Sequence, residues 1–335
     1  MNVQRIGAVA DHKALFWAKE AIVLVMLFWM GQTLVHAGHH PSGDGPHLIS
    51  ISQRLLGLLS SDIEHFYWAF SSLQAPHPPF AYLPNLLTSA IFPAHSAHIY
   101  AGLLAVYLCW DALRRMKCGL PAFIWLCAAS PVWLQIDNGL IDLLAGAVVL
   151  QTTAHIWSTE RLRNRRAIIL GSIWLGITVM IKYTAPIFLL PQLLLTLIWA
   201  LFHNRWKAWA TAIVITLVIA LPWWSTHASD VIRYVTASGA QTGIPTQMIE
   251  NHWSELVNLK WYGYATRDFT GNWGMVLLAA MTLLPLKKGL MLRMYVSSAI
   301  IVGMMILNGQ KQRQDRYHLP AYLLSSAIIG SHPIG

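Results

Sequence analysis

Five short polar segments in a largely apolar sequence carry the side chains best suited to chemistry. A carboxylate can act as a general base on a hydroxyl group, and Lys and Arg are the side chains that hold phosphate. Together these groups fit the transfer of a chemical group away from a phosphate. The segments are centred on Asp44, His77, Asp142, Lys182 and Arg316.

Each of these residues also has a simpler structural interpretation, which the sequence leaves open. Asp44, in a Gly-Asp-Gly-Pro turn, fits a solvated loop residue. Asp142 fits a carboxylate that stabilises a helix N-terminus. Lys182 fits a lysine at a helix end whose ammonium group reaches back to the membrane surface.

The segments that must position these residues are membrane helices. The 335 residues are 56% hydrophobic and only 11% charged, against about 25% charged in soluble domains, so a soluble fold is excluded. The apolar runs have the length of about 20 residues that an α-helix needs to cross a bilayer. We predict an all-α, polytopic single domain over residues 1–335, with about ten spans. The predicted spans are 20–37, 96–113, 119–135, 138–157, 167–181, 184–202, 208–224, 272–286, 294–308 and 319–331.

Basic residues indicate the orientation of these spans. If the N-terminus is cytoplasmic, the short connections on that side collect 15 of the 23 Lys and Arg residues, as the positive-inside rule requires. We therefore interpret the net charge of +9 as membrane topology and exclude nucleic acid as a partner. Carboxylates show the opposite bias, which places the chemistry on the extracytoplasmic side. The cytoplasmic set is Arg5, Lys13, Lys19, Arg114, Arg115, Lys117, Arg161, Arg163, Arg165, Arg166, Arg205, Lys207, Lys287, Lys288 and Arg293.

Two outer loops, at about 38–95 and 225–270, are long enough to fold. In the first we predict an amphipathic helix around Leu48 to Leu59 and an aromatic helix around Ile63 to Leu73, both lying in the membrane interface. The second is rich in Trp and Tyr, which suits an interfacial aromatic belt or a surface that stacks on sugar.

The remaining reactive residue types give weaker indications. The three cysteines lack the spacing of a disulfide or zinc framework. We assign no metal site, although histidines near Asp44 and the carboxylate of Asp142 leave a divalent ion open. The first apolar run ends in Val35-His36-Ala37, as a cleavable signal peptide does, but we expect a retained first helix.

The order of the five segments resembles the GT-C membrane glycosyltransferases, in particular the branch of protein O-mannosyltransferases and lipid A aminoarabinose transferases. Members of that branch have an Asp in the first outer loop, a Lys-Pro-Pro-like turn, an Asp at an outer helix end, a helix ending in Lys, and a late Arg-Tyr-x-x-Pro segment. Here these match Asp44, His77-Pro-Pro79, Asp142, Lys182 and Arg316-Tyr-His-Leu-Pro320. His77 replaces the usual Lys, and Pro76 replaces the acidic residue before it.

The resemblance implies an inverting transfer of a hexose- or pentose-type sugar from a polyprenyl-phosphate donor to a lipid, glycan or protein acceptor. The enzyme would lie in the inner (plasma) membrane, with its active site on the extracytoplasmic face of the cell envelope. The alternative is a transporter or binding protein for a lipid-linked sugar without covalent chemistry. The assigned roles are catalysis by Asp44 and Asp142, phosphate binding by Lys182, Arg316 and Tyr317, and substrate binding by Glu64, His77 and Tyr82.

Overall fold

The structure, a computed structural model, describes residues 3–38, 41, 45–73, 77–128, 130–139, 141–159 and 162–241, together with Leu323, Leu324 and Ala327. Its regular elements in this part of the chain are all helices, as predicted. The α-helices are α1 (Val3–Ala37), α2 (Gly45–Ser61), α3 (Ile63–Ser71), α4 (Leu83–Ser89), α5 (Ala94–Arg115), α6 (Gly119–Cys127), α7 (Ser130–Asp137), α8 (Ile141–Ser158), α9 (Arg165–Ile181), α10 (Leu190–Phe202) and α11 (Trp206–Gln241). The 3₁₀ helices are η1 (Pro79–Ala81) and η2 (Ala185–Leu189).

The chain is a multi-pass membrane protein. Within the described residues, four segments are long and apolar enough to cross a bilayer. They expose large apolar side chains, as lipid-facing helices do, and this confirms the polytopic helical fold. The segments are Ala14–Ala37, His95–Arg115, Ala185–Phe202 and Trp206–Arg233.

Helix α8 forms the centre of the described bundle. Its residues from Ile141 to His155 are all buried, and it contacts α5, α7, α9 and η2. A helix that is apolar on every side is stable only when neighbours surround it. Hydrogen bonds between helices add to this packing, since Thr152 Oγ1 lies 3.0 Å from Thr178 Oγ1 of α9 and Gln192 Nε2 of α10 donates to Thr153 Oγ1 over 3.1 Å.

At the far end of α8, a polar cluster ties three helices together. Glu20 of α1 is 7% exposed and accepts a hydrogen bond from Trp110 Nε1 at 3.1 Å. Arg114 Nη1 lies 3.1 Å from the same carboxylate. Asp111 accepts from Gln151 Nε2 of α8 at 2.9 Å. The cluster occupies the end of the bundle where the sequence predicts the cytoplasm.

The two helices predicted in the first outer loop are confirmed. Helix α2 includes the predicted segment Leu48 to Leu59, and α3 begins at the predicted Ile63. Helix α2 buries Leu48 and Leu55 and exposes its polar face. The structure adds η1 and α4 between α3 and the second long helix, in a stretch that the sequence left as loop.

Two predicted boundaries were wrong, and each of them lies near a proline. The span predicted over 119–135 is divided into α6 and α7, because Pro131 has no N–H for a continuous helix ladder. Conversely, the span predicted to end at 224 continues through Pro222 to Gln241. Here the proline costs one backbone hydrogen bond, a loss that neighbouring groups in a membrane helix can offset. The predicted spans 272–286 and 294–308 lie outside the described residues, as does 319–331 apart from Leu323, Leu324 and Ala327.

Candidate active site

Asp142 and Lys182, forty positions apart in the sequence, form a buried ion pair. Asp142 lies in the first turn of α8, and Lys182 is the residue that ends α9. Lys182 Nζ donates a hydrogen bond to Asp142 Oδ1. Lys182 is only 7% exposed and Asp142 only 3%. The structure therefore brings together two of the residues that the sequence singled out.

The way α9 ends explains this contact. At Lys182 the backbone leaves the helix for an extended conformation, with φ −151° and ψ 127°. A turn at Tyr183 and Thr184 then leads into η2, which packs against α8. The side chain of Lys182 is thus held beside the start of α8. Since hairpin-connected α8 and α9 run in opposite directions, Asp142 and Lys182 share one end of the bundle.

Charge and burial make the pair interdependent. Each ion has lost most of its hydration, and the opposite charge compensates for that loss. Breaking a buried pair by removing one partner typically costs about 3–5 kcal/mol, because the other charge stays buried alone.

The segment that follows Asp44 lies against the turn that leads into α8. Gly45 begins α2, and a Cβ added to it would lie 1.8 Å from the backbone oxygen of Asn138. Only glycine allows so close an approach of two backbones. Asp44 itself lies outside the described residues, as do Arg316 and Tyr317.

His77 belongs to a segment that reaches the same end of α9. His77 is 6% exposed and precedes Pro78 and η1, which contacts α9. Phe80 of η1 packs against the cluster that contains Met180 and is flanked by Tyr183. The His-Pro-Pro turn is therefore a neighbour of the Lys182 end of α9.

Tyr82 and Glu64 have different surroundings. Tyr82 is 2% exposed and part of the main hydrophobic core, and its backbone oxygen accepts a hydrogen bond of 3.2 Å from Ser52 Oγ. Glu64 lies exposed in the first turn of α3. Among the described hydrogen bonds and ion pairs, none joins Glu64 to the Lys182–Asp142 pair. Their substrate-binding roles stay predictions.

The described part of the chain contains no group of three or more His, Cys, Asp or Glu residues that could hold a metal ion. The histidines suggested near Asp44 include His39 and His40, which lie outside it. The cysteines Cys109, Cys118 and Cys127 are buried free thiols.

A set of polar side chains beside this site was not predicted from the sequence. Asn85, His98 and Gln135 line a cavity next to the first turn of α8. Spacing along one helix carries no signal for such a group, because its members come from three separate helices.

Comparison with known proteins adds a family and a fold. The sequence model of glycosyltransferase family 87 matches residues 76–313. Crystal structures of ArnT from Cupriavidus metallidurans are similar in fold, with a TM-score of 0.61 for the form bound to undecaprenyl phosphate and 0.56 for the apo state. Each comparison has 16% sequence identity and covers 95% of this chain and 59% of the ArnT chain. This chain thus spans about three fifths of the ArnT length. Among curated proteins, none matches it.

Proposed function

Because the chain belongs to glycosyltransferase family 87, we propose that it transfers a sugar from a polyprenyl-phosphate donor to an acceptor hydroxyl at the extracytoplasmic face of the inner membrane. The observation that carries this proposal is the buried Lys182–Asp142 pair at one end of the bundle. The similar ArnT fold holds undecaprenyl phosphate in one crystal structure, which supports a lipid phosphate as the carrier. Family membership favours transfer over the alternative of transport or binding alone.

Lys182 is the proposed phosphate-binding cation. Its ammonium group has three N–H donors, so it can keep a bond to Asp142 while donating to a phosphate oxygen. Asp142 would then fix the position of the cation and moderate its charge before the donor arrives. Arg316 and Tyr317, which the resemblance assigns to the same phosphate, would add a guanidinium fork and a hydroxyl.

The proposed reaction is a single displacement. The acceptor oxygen forms a bond to the anomeric carbon from the face opposite the leaving group, so the configuration inverts. The bond between that carbon and the phosphate oxygen breaks, and its electron pair leaves with the polyprenyl phosphate. The acceptor proton passes to the carboxylate of Asp44, the proposed general base. The contact of Gly45 with Asn138 supports this assignment, since it ties the residue after Asp44 to the turn before Asp142.

The depth of the pair in the membrane suits this substrate. A polyprenyl chain stays among the lipid tails, while its phosphate and sugar lie at headgroup level. Charged groups at the bilayer centre cost about 2.5–3.5 kcal/mol each on insertion scales, and less toward the interface. Asp142 at the start of α8 and Lys182 at the end of α9 lie where that cost is low. His77, Tyr82 and Glu64 remain the proposed contacts to the sugar or to a lipid, glycan or protein acceptor.

An accumulation experiment identifies the donor and its sugar directly. Deleting the gene should cause an unused polyprenyl-phosphate sugar to accumulate in membrane lipid extracts. Adding the purified protein to that lipid, with an envelope fraction as acceptor, should release polyprenyl phosphate. Extracts that are identical with and without the gene, and no release by the purified protein, would contradict the proposed function.

A further inference from the structure

A small cavity lies on the other side of the first turn of α8 from Lys182. Ile141 and Leu144 of that turn line the cavity, whereas Asp142 points to the end of α9. The other lining residues come from α2, η1, α4, α5 and α7 and include Leu48 and Asn85. It is therefore adjacent to the ion pair but separated from it by helix backbone.

The polar groups at this cavity are buried and unsatisfied. Asn85, His98 and Gln135 are 6%, 2% and 4% exposed. Within the described structure, Asn85 Oδ1, both ring nitrogens of His98 and Gln135 Oε1 have no hydrogen-bond partner of good geometry. An unsatisfied buried polar group typically costs about 1–3 kcal/mol. Two amide oxygens without partners at one cavity are unfavourable unless something binds them, and the His98 ring beside them interacts with the backbone of Asp137.

The local backbone is built to bring these groups together. Gly139 has a φ of +65°, and a Cβ there would lie 3.3 Å from His98 Cβ. This left-handed turn lets the chain pass from α7 to α8 directly over the His98 ring. Asp137 lies beside the same ring, and both its backbone and its charge interact with it; the charge of His95 does so too.

The size of the cavity limits what can bind. The cavity has a volume of about 30 Å³, and one water needs about 10–15 Å³. One or two oxygen atoms therefore fit, but a whole sugar ring does not. The polar atoms include amide oxygens that accept and ring nitrogens that donate or accept, and a hydroxyl group or a water satisfies both kinds.

We propose that the cavity lined by Asn85, His98 and Gln135 is a second polar binding site. It holds one or two oxygen atoms of water or of hydroxyl groups, beside the turn that leads to Asp142. Water molecules and the hydroxyl groups of a sugar are the two sources of that chemistry. Hydrogen bonds to these oxygen atoms would stabilise the turn from Gly139 to Asp142. The proposal deepens the proposed function only if a sugar supplies the oxygen; with water, it is independent of any transfer activity.

The test uses apolar variants of nearly the same size, Asn85→Leu and Gln135→Met, in the full-length protein in lipid nanodiscs. The unfolding temperature without substrate tests for bound water. If water occupies the cavity, each variant removes one of its hydrogen-bond partners and should unfold at a lower temperature than wild type. Binding of undecaprenyl phosphate and of the polyprenyl-phosphate sugar purified from the deletion strain reports on sugar. A sugar hydroxyl in the cavity predicts about three- to tenfold weaker binding of the sugar-linked lipid, with unchanged binding of undecaprenyl phosphate.

Thr88→Val is the matched control. Thr88 is a buried residue of the same helix α4, and its hydroxyl donates to Pro84 O of its own helix at 2.9 Å. The control measures the loss of a buried hydroxyl group of α4 that does not itself line the cavity. The proposal is overturned by two results together. Asn85→Leu and Gln135→Met would unfold at the wild-type temperature or above it, and both variants would bind both lipids as wild type does.

A second measurement needs no variant. An experimental map of the wild-type protein that resolves buried water should show an ordered oxygen at about 2.6–3.2 Å from Asn85 Oδ1 or Gln135 Oε1. That oxygen belongs to water in the ligand-free protein, or to the sugar when the lipid-linked sugar is bound. The proposal is overturned, whatever the transfer activity, if such maps show ordered water elsewhere in the bundle but no ordered oxygen in this cavity. This must hold both with and without the lipid-linked sugar.

Discussion

Lys182 and Asp142 are held together by burial as well as by opposite charge, which separates their structural role from their proposed chemical one. In structural terms each residue neutralises the other. In the proposed chemistry, only the cation binds the donor phosphate. Removing the two side chains singly or together therefore has different consequences for stability and for binding.

We expect Lys182→Met to lower the free energy of unfolding by about 3–5 kcal/mol, because the buried Asp142 loses the counter-charge of Lys182. The double variant Lys182→Met with Asp142→Leu should regain most of that stability, since no isolated charge remains. Both variants should lose binding of the lipid-linked sugar. Chemical unfolding and a binding assay in nanodiscs check the two effects, and wild-type binding by the stable double variant would remove Lys182 from the phosphate site.

Asp44→Asn keeps the shape of the side chain and removes the proposed base. Turnover should fall by about 10²–10⁴, the usual contribution of a general base, while donor binding is retained. Asp44→Glu should recover little, because a shift of about 1 Å in a catalytic group costs on the order of 10² in rate. Asp230→Asn in α11 is a control for the loss of a different carboxylate. Transfer by Asp44→Asn at the wild-type rate would make Asp44 a solvated loop residue.

The sequence predicted these residues by type and position, but not their contacts. Asp142 and Lys182 were assigned to helix ends because charge is expensive inside a membrane. Their pairing depends on how α8 and α9 pack, which a single sequence does not specify. The close approach of Gly45 to Asn138 is likewise invisible in the sequence, where Gly45 looks like an ordinary turn glycine.

Helix α2 positions the chain next to the proposed base through one glycine. In Gly45→Ala the new Cβ would fall 1.8 Å from Asn138 O, so α2 or the turn before α8 must move. We expect a folded protein whose turnover is lower by about 10² or more, because catalytic groups on both sides of the contact are displaced. Steady-state transfer measures this change.

Gly57→Ala provides the control on the same helix. A Cβ at Gly57 meets no atom within 4 Å, and alanine favours a helix by about 1 kcal/mol over glycine. This variant should keep wild-type turnover and unfold at the same or a slightly higher temperature. If Gly45→Ala behaved in the same way, the contact with Asn138 would have no part in catalysis.

Helix α3 is capped by a carboxylate whose charge depends on pH. Asp62 accepts a hydrogen bond of 3.0 Å from His65 N, and this bond, followed by the one with the His65 ring, lowers the pKa of Asp62 below 3.8. The cap therefore stabilises α3 fully above pH 3.8 and is lost as the pH falls through the lowered pKa. Hydrogen exchange of the α3 amides, corrected for intrinsic rates, should show faster opening at that lower pH. In Asp62→Ala the opening should be fast at every pH; a pH dependence like that of wild type would exclude the cap as its cause.

The ends of the helices show where local sequence is no longer enough to predict structure. The aromatic helix α3 begins at Ile63, where the sequence predicts it, and the structure adds Asp62 as its N-cap. Pro131 and Pro222 have the same local chemistry, yet the first separates two helices and the second lies within one. Packing around each proline decides the outcome, and packing is a property of the assembled bundle.

At the scale of the whole molecule, the buried charged groups of the described helices lie at two opposite ends of the bundle. Asp142 and Lys182 mark one end of α8 and α9, and the cluster of Glu20, Asp111 and Arg114 marks the other. The basic connections predicted to be cytoplasmic include Arg114 and therefore belong to the second end. The helical fold and this division followed from composition and charge, whereas the ArnT-like arrangement of the helices required the structure.

This division predicts the orientation of the molecule in the membrane. A reporter that is active only in the cytoplasm should be silent when fused after Ser72, which follows α3, or after Thr246. The same reporter fused after Arg163, in the basic connection between α8 and α9, should be active and serves as the positive control. A second reporter that is active only outside the cytoplasm should give the reverse pattern at all three sites. Cytoplasmic activity after Ser72 would place α2, α3 and the Lys182–Asp142 end inside the cell, where an extracytoplasmic lipid-linked sugar could not reach them, and the proposed reaction would have to be abandoned.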